Sequence, residues 1–480
     1  MAYQHGVRVQ ENPTSLPTPA TSQAGVPVIF GTAPVNLASD PAHATNKLFL
    51  CHTFAEAQSA VGYSEDYENY TLCQAMDAFF KAFGVGPIVI CNVLDPANNS
   101  HTESITGTSA TVTDGQAVLP ELGIILSTLT FKNGSTDLVL DTDYTLAFNE
   151  EGKVVVTVLA AGISTLTVAG RKLKPSGVAA ADIIGSYNSS TGVETGLELV
   201  RQVYPTFGEV PSLLLAPGWS HLAAVGVALQ GKCTDINGLF SCECILDIET
   251  STTKKYTDVE AKKNSCGYLS EHSIVLWPMV KYAEKKMYMS AIYAAMVVYT
   301  DKNNEDVPNL SPSNKALRIG ATVLADGTEV LLDQTQANVL NGAGIVTALN
   351  LNGFKAWGNN TAVYPDNSDP KDRWIGCRRF FSWWGNNFIL TYMSKVDNPA
   401  NYRLIESIVD SENVRANSLV SSGKCAGLRM VYDPADNPVG NVIDGKIKFR
   451  EYLAPYTPAE DILCVLEFDP SMIEAALGGE

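Results

Sequence analysis

The sequence predicts an α/β multidomain protein. It has a small all-β domain inserted into its core, a C-terminal α+β domain and an extended arm at each end. Three observations predict this. Strand, helix and strand follow one another near the start and again after residue 196. A Thr-, Val-, Gly- and Asp-rich stretch full of turn signals interrupts them. Apolar strand text also stands at both chain tips, behind Pro-containing links, where chains usually fray.

At 480 residues, two to four domains are expected. With 45% hydrophobic and 18% charged residues the chain reads as globular. A net charge of −18 argues against nucleic-acid binding, which needs a basic face. The charge is uneven. Residues 371–450 carry twelve Lys/Arg against eight Asp/Glu, a local +4 that leaves −22 for the rest.

In chain order, "YQHGVRVQENP" (3–13) reads as a strand in which Val7 and Val9 alternate with Arg8 and Gln10. Residues 12–27 hold four Pro among Ser and Thr, an extended linker. "VPVIFGTAPV" (26–35) is a buried strand, "NYTLCQAMDAFFKAFGVG" (69–86) a helix with a Gly stop, and "PIVICNVLD" (87–95) the next buried strand. That order predicts a parallel sheet. Residues 98–180 carry Asp114-Gly115, Asn133-Gly134 and Glu151-Gly152 turns between short strands, the inserted β domain.

The α/β text resumes with a helix and buried strand over 196–218. A helix follows over 220–237, with Ser220 as its cap, then strands "FSCECILDI" (240–248) and "SIVLWPMV" (273–280). Beyond about residue 355 a third region begins. "DNPANYRLIESIVD" predicts a helix with Asn398 as N-cap, Pro399 at its first position and an apolar stripe of Leu404, Ile405, Ile408 and Val409. "KIKFREYL" (446–453) is an alternating strand. "APYTPAED" links it to the terminal strand "EDILCVLEFDPS" (460–471). There Ile462, Cys464, Leu466 and Phe468 share one face, and Leu463 and Val465 the other. Apolar residues on both faces describe a strand buried on both sides.

The N-terminus shows no apolar core of a secretory signal, and the longest apolar run, residues 291–299, is too short to span a bilayer. The ten Cys lack metal-type pairing. Cys242 and Cys244 share a strand face and read as two small buried thiols, which fits a reduced, cytosolic place of synthesis.

No catalytic constellation emerges. The six His are His5, His43, His52, His101, His221 and His272. Ser220 and His221 follow a buried strand, where an α/β hydrolase places its nucleophile. However, G-x-S-x-G is absent, and adjacent residues do not face each other on a helix. Neither a dinucleotide-binding glycine motif nor a phosphate-binding P-loop occurs. "DPADNPVGNVIDG" (433–445) lacks calcium-loop spacing and reads as a solvated turn. "CRRFFSWWGNNF" (377–388) combines Arg with aromatics, as single-stranded nucleic-acid platforms do. In so acidic a chain a packed core or protein interface is the better reading. No cofactor and no metal is expected.

Five segments in order carry a family resemblance: residues 5–35, 210–248, 309–315 ("NLSPSNK"), 336–361 and 378–427. Together they cover nearly the whole chain. The last, "RRFFSWWGNNFILTYMSKVDNPANYRLIESIVDSENVRANSLVSSGKCAG", is the most specific. The sequence resembles the contractile tail sheath proteins of bacteriophages and related phage-tail-like particles.

The resemblance implies a subtilisin-like α/β core without protease function, over 26–97 with 181–355. A β domain (98–180) would be inserted at the periphery, and a C-terminal α+β domain (356–455) would face the tube. Arms would span 1–25 and 456–480. It implies a homo-oligomer of stacked six-fold rings in the virion tail, made in the host bacterial cytoplasm. Its partners would be its own copies, a tail tube, a baseplate and a tail terminator, with no direct nucleic acid and no membrane. Contraction would drive the tube through the host envelope for genome ejection; a bacteriocin sheath is the alternative, and an α/β hydrolase a remote one.

Within that frame the arm strands, with Val7, Val9 and Ile462–Phe468, are expected to add to a neighbour's sheet. The alternative is pairing within the subunit, the C-terminal strand forming a hairpin with residues 446–453. Arg403 and Arg415 are candidates to face an acidic tube. Local pairs of Arg403 with Glu406 and of Arg415 with Glu412 remain the alternative.

Overall fold

The computed structural model describes residues 24–478, so Val7 and Val9 of the expected N-terminal arm lie outside the described residues. In chain order the strands are β1 Val26–Gly31, β2 Leu48–Cys51, β3 Ile88–Asn92, β4 Thr102–Thr111, β5 Gln116–Val118, β6 Thr130–Asn133 and β7 Thr136–Asp137. Then come β8 Tyr144–Phe148, β9 Val154–Val158, β10 Thr165–Leu173, β11 Pro211–Leu215, β12 Glu243–Asp247, β13 Ser273–Leu276 and β14 Met279–Tyr282. The last are β15 Lys285–Met287, β16 Ala321–Val323, β17 Ile345–Asn350, β18 Phe354–Trp357, β19 Cys425–Val431 and β20 Arg450–Pro455.

An eight-stranded sheet in the order β18-β17-β13-β12-β11-β1-β3-β2 forms the centre. Its inner strands run parallel, and the edge strands β2 and β18 are antiparallel to their neighbours. Continuous apolar runs such as Ile88–Cys91 and Leu213–Leu215 are buried throughout, as a sheet covered on both faces requires. Helices such as Ala223–Gly231, Val259–Cys266 and Met289–Lys302 follow the strands and supply that cover. The predicted strand 273–280 divides into β13 and β14, because Pro278 has no N–H to continue a ladder.

Between β3 and β11 the chain leaves the core. The sheets β4-β10-β6-β7 and β5-β9-β8 enclose a separate apolar cluster of Ile105, Phe131, Tyr144, Val154, Val156, Leu166 and Val168. The neck is the antiparallel pair β4/β10, with Thr102 opposite Leu173 and Glu103 opposite Lys172. At its base His101 is buried. Its Nδ1 accepts from Asp95 N at 3.1 Å, and its Nε2 lies 3.4 Å from Asp182.

The C-terminal region packs the helices Ile375–Tyr392 and Tyr402–Ser421 against the two-stranded sheet β19/β20. Phe380, Trp384, Ala416, Cys425 and Leu428 make its core, so the aromatic run 377–388 is a packed core. A buried ion pair staples this region to the centre. Arg379 Nη1 donates to Asp301 Oδ1 at 3.2 Å and Nη2 donates to Oδ2. Beside it, Ser382 Oγ donates to Glu243 at 2.7 Å, and the carboxylate lies 3.6 Å from His272 Nδ1.

Three expectations are corrected. The helix predicted from Asn398 begins at Tyr402, with Asn401 as its cap, accepting from Leu404 N at 3.0 Å. Asn398 instead closes the preceding turn by donating to Ser394 O at 3.2 Å. Ser220 does not cap a helix. The helix begins at Ala223, and Ser220 Oγ donates to the buried Asp247 at 2.9 Å. The strand predicted over 446–453 is β20, Arg450–Pro455, and it pairs with β19 rather than with the terminal segment.

Two outcomes are expected. Replacing residues 104–171 by a short Gly/Ser bridge between the facing Glu103 and Lys172 should leave a soluble, cooperatively unfolding body, measured by calorimetry; an insoluble product contradicts a separable insert. Arg379→Met should cost about 3–5 kcal/mol in urea unfolding, because it strands the Asp301 carboxylate. Adding Asp301→Leu should recover part of that loss.

Candidate assembly interface

The chain leaves the body through β20. Tyr456, Thr457 and Pro458 cross the start of the helix Ile375–Tyr392 beside Trp374 and Cys377. Glu460 is then held from two sides: Arg373 Nη2 donates to Oε2 at 3.0 Å, and Asn359 Nδ2 to Oε1 at 3.4 Å. Arg373 is fixed in turn. Its Nε donates to Asn360 at 2.8 Å, and its guanidinium lies 4.2 Å from the ring centre of Tyr364 and 3.9 Å from that of Trp374. Lysine would keep the charge there but lose the stacked plane. The clamp lies over a cleft of about 660 Å³ walled by polar side chains such as Ser311, Asn314, Asn338 and Asn341.

Beyond Asp461 the hold ends. Ile462, Leu463, Leu466 and Phe468 are 84%, 82%, 90% and 79% exposed. Val465 is exposed too, and Cys464 is the exposed one of ten free cysteines. The segment expected as the strand 460–471 is not a strand in the single chain, and the alternative of pairing within its own copy is not seen. Among the described residues, no backbone group of 462–468 has a hydrogen-bond partner. So large an exposed apolar patch is unusual for a free-standing protein and marks a contact surface. The terminal strand was predicted to run to 471, but a short helix, Pro470–Ala476, replaces its end.

The body has an open edge at β20 that can take such a segment, while on the β19 side Asn413 bonds both backbone groups of Met430, at 2.9 and 3.0 Å. Among the described residues the β19/β20 sheet has two strands only, a ribbon that is marginal by itself. Its inner face rests on Phe380, Trp384 and Ala416, and its other face shows Tyr452 to solvent. The outer edge of β2 is also unpaired among the described residues. The outer edge of β18 is closed by residues 314–317: Asn314 N donates to Ala356 O at 2.7 Å and Leu317 N to Phe354 O at 2.9 Å.

The basic stretch 371–450 is mostly engaged inside the chain. Lys371 and Arg378 pair with Asp372, Arg373 with Glu460, Arg379 with Asp301, Lys424 with Glu305, and Lys448 and Arg450 with Asp436. Arg415 joins them, and the expectation that it points outward is corrected. Its Nη1 donates to the buried Glu412 at 2.9 and 3.1 Å, and its guanidinium lies 4.5 Å from the ring centre of Trp384. Arg403 is exposed, with no ion pair to Glu406 among the described residues. Lys395, Arg429 and Lys446 likewise have no acidic partner among the described residues, and Arg429 lies over the Tyr452 ring.

Glu412 and Glu451 bring two carboxyl groups to one buried spot under β20. Glu412 accepts from Tyr392 Oη at 2.7 Å as well as from Arg415. Burial, with the Glu412 charge as second cause, pushes the Glu451 carboxyl up to about 7.

The hydrolase-like position is a fastener. Ser220 is fully buried; its hydroxyl donates to Asp247 Oδ2 and accepts from Asp247 N at 3.1 Å. Ser290 N and Oγ donate to the same carboxylate at 3.0 and 2.5 Å, tying it to the start of the helix Met289–Lys302. Burial raises Asp247 to about 6. His221 stacks on Tyr288 with ring centres 5.4 Å apart and bonds to neither Ser220 nor Asp247. Among the described residues no group of His, Cys, Asp and Glu side chains is arranged to hold a metal ion, and no helix is long and apolar enough to cross a membrane.

No protein-family model matches the chain. The tail sheath protein of Burkholderia phage BcepMu is 26% identical over 502 residues, 99% of each chain. A putative prophage major tail sheath protein of Pseudomonas aeruginosa is 26% identical over 287 residues, 59% of this chain and 71% of its own. The tail sheath protein of Escherichia phage P2 is 24% identical over 58% of this chain and 69% of its own.

Solved structures share the fold. A chain of the contracted sheath complex of PVC, an extracellular contractile injection system, superposes with a TM-score of 0.60 at 15% identity, covering 98% of this chain and 99% of that one. A chain of the anti-feeding prophage baseplate gives 0.59 at 15%, covering 98% and 100%. The sheath tail protein of Desulfitobacterium hafniense gives 0.50 at 11%, covering 89% and 94%.

A carboxyl whose pKa the fold raises contributes stability in full below its unfolded value, here 4.5, and loses it as pH rises through about 7. Glu451→Gln removes that titration. Across pH 4.5 to 8 the variant should gain on the parent by about 1–3 kcal/mol in urea unfolding. A stability difference that is flat with pH contradicts the buried carboxyl pair.

Proposed function

We propose that this chain, which the phage relatives and the sheath structures support as a contractile tail sheath protein, polymerises as stacked six-fold rings around a tail tube and drives it through a cell envelope when the array contracts. The observation that carries the proposal is the arm. It has a clamped root at Glu460, then seven residues whose apolar side chains and backbone groups lack a partner among the described residues of their own chain. Added as a strand to a sheet of another copy, the arm satisfies both at once, main-chain bonds giving strength and side-chain pockets register. The two-stranded β19/β20 sheet is the acceptor its geometry favours: the outer edge of β20 is open among the described residues, whereas Asn413 caps Met430 on the β19 edge.

In this reading residues 26–97 with 181–355 are the sheath core, in the place of a subtilisin-like domain without its chemistry. Residues 98–180 decorate the outside, 356–455 face the tube, and 1–25 and 456–480 are the arms. The work is mechanical. Bodies stapled by Arg379–Asp301 move as rigid units while the arms keep them connected, a rigid-body transition of a bistable array. The tube contact would draw on the cations left over from internal pairing, Arg403 foremost, with a baseplate and a tail terminator closing the ends.

Genome ejection from a phage virion is the first use we propose, since the relative matched over 99% of both chains is a phage protein. A phage-tail-like particle without a genome is the second, favoured by the fold shared with the PVC and anti-feeding prophage chains.

Two experiments test this. Removing residues 456–480 should leave a soluble, folded protein that no longer forms tubes by electron microscopy; tubes from the truncated chain would sink the arm reading. Arg403→Glu should weaken co-sedimentation with tail tube in a salt-dependent way while empty sheath still polymerises. Loading equal to the parent's removes this residue from the tube surface.

A further inference from the structure

The arm does not end with its extended segment. Residues Pro470–Ala476 form a helix whose limits are both written in the sequence. Asp469 caps it, its Oδ1 accepting from Ser471 N at 2.9 Å and from Ser471 Oγ at 2.6 Å, and Pro470 takes the first position. Gly478 closes it in the left-handed region, φ +84°, where a side chain would be strained. Met472 and Leu477 are 71% and 83% exposed and Ile473 is half exposed; Ile473 and Leu477, four residues apart, lie on one face. A helix this short is marginal alone in water, so a stop, a start and an apolar stripe on seven residues point to a surface that holds it.

We propose that this helix is a latch that docks its Ile473/Leu477 face on a second copy of the chain, the same copy that takes Ile462–Phe468 as a strand. The proposal rests on the strand reading and adds a second contact to it. Geometry selects that copy over the helix's own body. An extended strand advances about 3.3 Å per residue, so the segment from Ile462 to Asp469 carries the helix roughly 26 Å beyond the Glu460 clamp along the acceptor's sheet. A strand held straight by ladder bonds has no slack to return it. The mode is a helix in an apolar groove, placed beside a strand addition.

Full-length chain, Ile473→Glu/Leu477→Glu, a chain ending at Asp469 and a chain ending at Pro455 are compared for tube formation and for critical concentration of assembly. The first two variants should form tubes with a critical concentration raised roughly tenfold, or none at all; values equal to the parent's overturn the latch. Parent-like tubes from the chain ending at Pro455 would show instead that the strand reading has failed. A photo-crosslinking residue at Leu477, in tubes mixed from isotopically heavy and light copies, should give heavy–light conjugates. Conjugates only within one copy, or only with tail tube, overturn the choice of partner.

Discussion

A segment with apolar side chains on both faces and no partner for its backbone is the constraint from which the rest of this structure takes its meaning. Residues 462–468 are left unsatisfied by the chain that carries them: their backbone groups have no partner among the described residues, although the outer edge of β20 stands open. Burying five large side chains of this kind is worth about 1.5–3 kcal/mol each relative to exposure, before the entropy of ordering is subtracted. On the proposed reading, that would suffice to hold neighbours in an array that grips each subunit several times. The clamp of Arg373 on Glu460 sets where the segment leaves the body.

A connector of this kind is useful only if the bodies it links are stiff. The buried Arg379–Asp301 pair supplies that, joining the helix Ile375–Tyr392 to the helix Met289–Lys302, while Ser382 reaches Glu243 on β12. Such a pair contributes little relative to an apolar substitute, yet breaking it leaves a buried charge unpaired. Its effect is to fix how the C-terminal region sits on the central sheet. Most of the basic residues in 371–450 have comparable local duties, so the local +4 charge does not translate into a basic face.

The central strands were legible because burial on both faces leaves unbroken apolar runs such as Ile88–Cys91 in "PIVICNVLD", and the turn pairs marked the insert. The apolar tip was legible as an apolar run, but not its exposure or its lack of strand geometry in the single chain. What could not be read was competition between equivalent residues. Asn398 and Asn401 are both good caps, and only the phase of Leu404, Ile405 and Ile408 against the body decides for Asn401. Ser220 stands where a cap would, but the sequence carries no sign that β12 brings Asp247 within 2.9 Å of it. Arg415 could turn inward or outward at the same helical spacing, and the Trp384 ring settled it. The terminal helix had a signal, Asp469-Pro470-Ser471 before an apolar pair, hidden by the strand text in front of it.

Hydrogen–deuterium exchange on the full chain, as dispersed subunits and as assembled tubes, tests the central claim most directly. In dispersed subunits the amides of 462–468 have no partner among the described residues and should exchange at the rate of an unstructured peptide. In tubes, alternate amides of this segment should slow by orders of magnitude, together with amides on the open edge of β20. Unchanged rapid exchange in well-formed tubes would mean that the lattice is held elsewhere and that the arm is not its connector.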